Sequence, residues 1–248
     1  MSNTRLKVNN RVRWTISLIC ILLILLAGAA ATVACVRPDW ASGVRKALTR
    51  PNRRAVAVTT DETFPYRQSG DELTRIVSAR FPLEEDYVPG DLTNLYEHKD
   101  RAFELARVSI DLRMPAYEAA QAMFTAAKED GVSDFIISSG YRTREYQQTL
   151  YEESDTGYVN APGESEHEYG LTFDVTTRTD KADFAQTPQF AWLSEHCWEY
   201  GYILRYPEGK EALTGVPYES WHYRYVGKEA AKVIHENGWC LEEYAALN

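Results

Sequence analysis

The strongest hydrophobic pattern in the chain lies near its start, where Trp14 to Val36 carries no charged residue and includes the run ISLICILLILLAGAA. A helix of about 23 residues spans roughly 34 Å, enough to cross a hydrocarbon core of about 30 Å. Four basic residues, Arg5, Lys7, Arg11 and Arg13, precede it. The positive-inside rule then keeps residues 1–13 in the cytoplasm and sends everything after residue 36 outward. The expectation is a single-pass membrane helix over 14–36 carrying an extracytoplasmic domain. A cleaved signal peptide is the rival, because Ala29 to Ala31 offer a small-residue cleavage site. Cys35, after Thr-Val-Ala, gives a weaker lipoprotein-like signal.

Residues 37–70 are rich in Arg, Thr and Pro, show no sustained period, and read as a linker or stalk. From residue 71 to 248 the pattern predicts one folded domain. It begins with an extended LTRIVSARF segment and a Pro-punctuated loop. A helix opens at Pro115, carries Ala119, Ala120, Met123, Phe124 and Ala127 at three- and four-residue spacing, and leaves through Gly131. Phe135 to Ser138 predicts a short buried strand, and Thr143 caps a second helix running to Glu153. A third helix starts at Thr187-Pro188, presents Trp192, Leu193, His196, Cys197 and Tyr200, and stops at Gly201. A hairpin of Tyr202–Tyr206 with Ser220–Val226 follows, then a helix over Lys228–Glu236. Helices mixed with short strands, without regular βαβ alternation, indicate an α+β domain.

Composition is that of a globular protein, with 44% apolar, 12% aromatic and 25% charged residues. Charge is uneven. Four of the 27 Lys and Arg precede residue 37, which leaves 23 against all 36 Asp and Glu on residues 37–248, a net charge of −13. A surface this acidic, with no basic cluster carrying interleaved aromatics, excludes nucleic acid as a partner. Two of the four cysteines lie in the apolar segment, and Cys197 and Cys240 lie beyond it. Outside the cytoplasm that pair is either a disulfide or two buried thiols.

Two of the five histidines sit in unusual company, His167 in ESEHEYGLTFD and His222 in YESWHYRY. In S-x-H-x-x-G-x-x-x-D, an imidazole and the carboxylate of Asp174 flank a glycine that can turn both toward one point. With His222 as a third ligand, the set leaves a fourth position to water, the arrangement of a catalytic zinc. Glu219, three residues before His222, is close enough to serve as general base. In a regular strand the two would face opposite ways, so a turn or bulge is expected over Pro217–Ser220. His98, in a charged loop, and His235, on the terminal helix, are set aside, and His196 reads as packing beside Trp192 and Tyr200.

Four segments in order, SGYRTREYQ (139–147), SEHEYGLTFD (165–174), YGYILRYPEGKEALTG (200–215) and YESWHYRYVG (218–227), resemble the VanY-type D-alanyl-D-alanine carboxypeptidases, zinc peptidases of bacterial peptidoglycan. The resemblance runs from about Asp71 to Tyr244. It implies a small α+β zinc peptidase domain of the hedgehog/DD-peptidase type. It also implies His167, Asp174 and His222 as zinc ligands, Glu219 as catalytic base, Arg142 as oxyanion stabiliser, and Ser165 and Gln147 as substrate-holding residues. The implied partner is the peptidoglycan stem peptide. Two alternatives stand beside removal of a terminal D-Ala: an L,D-carboxypeptidase acting on tetrapeptide stems, and a module that binds cell-wall peptide without cutting it. Trp221, Tyr223 and Tyr225 read as core residues, one of them at most walling a cleft.

Overall fold

The computed structural model describes residues 64–154, 159–178 and 183–247. The expected membrane helix over 14–36 and most of the 37–70 segment lie outside the described residues, among which no helix is long and apolar enough to cross a membrane.

Strand formation follows side-chain alternation. In β4 (Phe135–Ser139), Phe135, Ile137 and Ser139 are buried while the residues between them are half-buried. In β5 (Thr172–Thr177), Phe173 and Val175 point into the main core, and Thr172 and Asp174 occupy the opposite face. These strands pair antiparallel, with a register shift between Ile137 and Ser139. β5 also pairs antiparallel with β7 (His222–Tyr225), which in turn pairs with β6 (Tyr202–Leu204). A parallel edge strand, β2 (Glu104–Leu105), completes a five-stranded sheet in the order β2-β4-β5-β7-β6. A separate two-stranded sheet joins β1 (Leu92–Asn94) to β3 (Asp111–Arg113).

The expected long helix is α1 (Met114–Glu129), with Pro at its start and Ala116, Ala120, Met123, Phe124 and Ala127 on its buried face. It packs on one face of the large sheet. Phe124 lies with ring centroids 5.3, 4.7 and 5.6 Å from those of Phe103, Phe135 and Phe173. Truncating Phe124 to alanine would cost about 3–5 kcal/mol by the usual transfer and cavity penalties. α2 (Arg144–Glu153) is capped by Thr143, whose Oγ1 accepts from the Tyr146 N–H at 3.2 Å. α3 (Pro188–His196) is capped by Thr187, continues as a 3₁₀ turn over Cys197–Tyr200, and ends at Gly201. The hairpin connection contains the short α4 (Glu211–Thr214), and α5 (Lys228–Asn237) and α6 (Leu241–Ala245) finish the fold. These last two helices and Tyr66 form a second apolar cluster with Ile76, Ile203 and Val226.

Two expectations are corrected. LTRIVSARF is not a strand: apart from an isolated bridge between Ser78 and Phe81 it is turn and irregular chain, although Ile76 and Val77 are buried. Apolar burial without a continuous ladder partner produces loop here. Trp221 is not core. It is 40% exposed because it sits in the turn just before β7, whereas Tyr223, inside the strand, is fully buried. Cys197 and Cys240 are buried free thiols.

Candidate metal centre

Sheet register brings the candidate ligands together. Asp174 on β5 is the direct cross-strand partner of His222 on β7, and facing residues of an antiparallel pair have Cβ atoms about 4.5–5.5 Å apart. His167 comes from a 3₁₀ turn over Glu166–Tyr169 that ends at Gly170, whose φ of 79° is the left-handed turn a side chain would resist. That reversal folds His167 back over the start of β5.

One oxygen of Asp174, Oδ2, lies 3.3 Å from His167 Nε2, and the other, Oδ1, lies 3.2 Å from His222 Nδ1. The three ligand atoms lie within 4.8 Å of one another. Donors at the edges of a tetrahedron about a zinc ion are separated by about 3.3 Å, given bonds of about 2.0–2.1 Å. Asp174 Oδ1 is buried without a hydrogen-bond partner, which suits an oxygen that serves a cation. The other nitrogen of His167, Nδ1, lies 2.8 Å from the Gly140 carbonyl oxygen. A carbonyl only accepts, so Nδ1 carries the proton and the Nε2 lone pair faces the centre.

Burial and the adjoining Arg142 guanidinium hold His167 down to about 4, which keeps the ring neutral at ordinary pH. Burial would also lower His222, but the carboxylates of Asp174 and Glu166 override it and lift the ring to about 9. Asp174 is held well below the carboxylate range: burial opposes ionisation, and the two imidazoles outweigh it. The turn expected over Pro217–Ser220 falls slightly later, at Ser220 and Trp221, and starts from Glu219. The His222 N–H donates to the Glu219 carbonyl across a tight reversal, and Glu219 Oε2 comes within 3.4 Å of His222 Nδ1. Burial, reinforced by Asp174 and opposed by His222, raises its carboxyl to about 7.

Arg142 reaches the same centre. Its Nη2 is 3.2 Å from Asp174 Oδ2 and donates to Ser139 Oγ at 3.0 Å, and its Nη1 donates to Gln147 Oε1 at 3.3 Å. Gln147 is 1% exposed, and its amide donates to the Asn160 carbonyl at 2.8 Å, so its polar atoms bind the protein. Ser165 is buried at the start of the 3₁₀ turn, and its hydroxyl does not cap it. Both line the pocket of about 150 Å³ around the centre. A larger cavity of about 480 Å³, lined by Tyr66, Arg80, Glu164 and Thr214, shares Asn160, Tyr206 and Val216 with it. His98 and His235 stack on Tyr117 and Trp198, and His196 packs at a tilt against Trp192. Sequence reasoning missed Ser139, the Gly140 carbonyl, Glu166 and Tyr206, whose ring centroid is 4.7 Å from that of His222. Only Glu166, a carboxylate between two motif residues, carried a signal.

The family model described as VanY, D-alanyl-D-alanine carboxypeptidase, matches residues 109–228. A D-alanyl-D-alanine carboxypeptidase of Enterococcus faecium is 36% identical over 188 residues, covering 75% of this chain and 61% of that relative. A solved LdcB L,D-carboxypeptidase aligns with TM-score 0.62 and 30% identity, covering 75% of this chain and 96% of its own. A solved glutamate-to-alanine variant of the vancomycin-resistance D,D-pentapeptidase VanY, in complex with Zn(II), aligns with TM-score 0.59 and 33% identity, covering 72% of this chain and all of its own. With ligand geometry, fold and sequence in agreement, the chain belongs to the VanY family of D-alanyl-D-alanine carboxypeptidases.

Proposed function

We propose that this chain is a zinc-dependent D,D-carboxypeptidase that removes the C-terminal D-Ala from peptidoglycan stem peptides. The observation that carries the reading is the convergence of His167, Asp174 and His222 within 4.8 Å, with the Glu219 carboxylate 3.4 Å from one ligand atom. Two imidazoles and one carboxylate suit Zn²⁺, and the solved VanY relative binds that ion. When bound, the ion acidifies a water molecule and polarises a carbonyl oxygen.

The remaining chemistry belongs to the side chains. Glu219 takes the proton of the attacking water and passes it to the amine of the departing D-Ala, so one carboxylate serves first as base and then as acid. Its carboxyl, lifted to about 7 by burial, is suited to both. The Arg142 guanidinium, fixed by Ser139 and Gln147, places positive charge where the scissile carbonyl oxygen becomes negative. The 150 Å³ pocket takes the terminal residue, with Ser165 on its wall, and the adjoining 480 Å³ cavity takes the peptide that precedes it.

The experiment is incubation of the zinc-loaded protein with pentapeptide and tetrapeptide muropeptides, with and without chelator, and mass analysis of the products. Loss of one D-Ala from the pentapeptide alone, abolished by chelator, is the expected result. The LdcB match supports a second reading on the same centre: trimming of the tetrapeptide alone would replace the D,D assignment with an L,D one. Zinc binding without turnover of either would leave a binding module.

The charge-free run over 14–36, with basic residues on its N-terminal side, supports a single-pass anchor that holds the domain outside the cell membrane. Protease added to intact spheroplasts should digest the domain. Protection of the domain would reject this orientation.

A further inference from the structure

Beneath the metal centre lies a cluster of charged side chains that the hydrolytic reading does not use. Glu166, Arg205, Arg224 and Glu242 are each 0–1% exposed. Glu166 Oε1 accepts from Arg205 Nε at 2.6 Å and from Arg224 Nη1 at 2.9 Å. Arg205 forks onto both oxygens of Glu242, on α6, at 2.9 and 2.6 Å. Arg224 spends its Nη2 on the carbonyls of Leu73 and Arg75 and its Nε on that of Tyr225. Two anions thus balance two cations in a closed interior, an arrangement that costs much desolvation and seldom improves stability over apolar packing.

The remaining oxygen explains the expense. Glu166 Oε2 accepts from Thr172 Oγ1 at 3.3 Å and lies 3.6 Å from His222 Nε2. That nitrogen is buried and has no hydrogen-bond partner. A neutral imidazole that binds a metal through Nδ1 must carry its proton on Nε2, and ligating histidines usually give that proton to a carboxylate or carbonyl, which fixes ring and tautomer together. His167 uses the Gly140 carbonyl for this. For His222, Glu166 Oε2 stands in the corresponding place, one that a shift of a few tenths of an ångström turns into a hydrogen bond.

We infer that Glu166 is a positioning residue for the metal: held by Arg205 and Arg224, it accepts a hydrogen bond from the Nε2–H of His222, which keeps the proton on Nε2 and presents Nδ1 to the cation. The inference rests on His222 serving as a ligand. Glu242 lies in the same cluster but touches Arg205 and not His222, and so provides an internal control.

The test compares Glu166→Gln with Glu242→Gln. Zinc affinity is measured by chelator competition, and the thermal midpoint is measured on metal-free protein. Glu166→Gln should weaken zinc binding by about 10- to 100-fold. Glu242→Gln, which also removes one buried charge, should change it less than about threefold. Equal losses in both variants, or wild-type affinity in Glu166→Gln, would overturn the proposal. Should Glu166→Gln fail to fold, nitrogen-proton correlation spectra of the zinc-loaded wild type decide. The His222 proton should sit on Nε2 and exchange slowly with solvent, and a proton on Nδ1 or rapid exchange would reject the assignment. If the wild type takes up no zinc, it is the metal-site reading that fails.

Discussion

Single side chains set the proposed chemistry, and Glu219 is the most decisive of them. Glu219→Gln keeps size and polarity but removes the proton acceptor. The turnover number for D-Ala release should fall by about 10²- to 10⁴-fold while bound zinc, measured by metal analysis, stays at the wild-type level. Retained turnover would remove Glu219 from the mechanism. The cysteines act at the same scale through protonation. Burial pushes the Cys197 and Cys240 thiols up to about 12 from the ordinary 9.0, so these two should resist thiol reagents at pH 8 in the native protein and react once it is unfolded. A raised pKa in the folded state means that the folded chain holds its proton longer. The associated stability is complete below pH 9 and is lost as pH climbs toward 12. Cys197→Ala should flatten that alkaline decline in denaturation midpoints, and an unchanged slope would assign it to other groups.

Elements decide whether those side chains meet. β5 and β7 pair Asp174 with His222 through their ladder, and β4 contributes through its end. Past the register shift in β4, the chain leaves the strand at Ser139 and Gly140, where the Ser139 hydroxyl holds Arg142 and the Gly140 carbonyl holds His167. A Cβ on Gly140 would lie 2.4 Å from the Asp111 backbone oxygen. Backbone cannot swing aside as a side chain does, so Gly140→Ala must displace β4 from β3 or tilt the carbonyl away from His167. Zinc affinity and melting temperature should both drop in Gly140→Ala. A variant with wild-type values for both would mean that the strand end yields freely.

At the scale of the whole molecule the proposed ligand shell is preformed, since two of the candidate ligands are neighbours in a central sheet and the third is tied to a backbone carbonyl. Removing the metal with chelator should abolish activity but leave a cooperative unfolding transition, lowered only by the free energy of ligand binding. An unfolded metal-free chain would contradict this. How much of this was legible beforehand follows from the range of each signal. The face of α1 and the Thr143 and Thr187 caps are local and were visible as spacing, as was the turn that brings Glu219 beside His222. The strands β1, β2 and β3 have two or three residues each, too few for alternation to register, and β5 was hidden because its polar Thr172 and Asp174 serve the site. Arg224 lies on β7, Arg205 just past the end of β6 and Glu166 on the 3₁₀ turn before β5, so the three meet only through packing of segments distant in sequence and nothing local announced their cluster.

The cross-strand placement of Asp174 opposite His222 has one more consequence. Because backbone hydrogen bonds, rather than the cation, fix that separation, the centre is a rigid socket that can be emptied and refilled. Cobalt, which prefers similar nitrogen and oxygen donors, should therefore enter the native fold in place of zinc and give a coloured, paramagnetic reporter within bonding distance of the reaction.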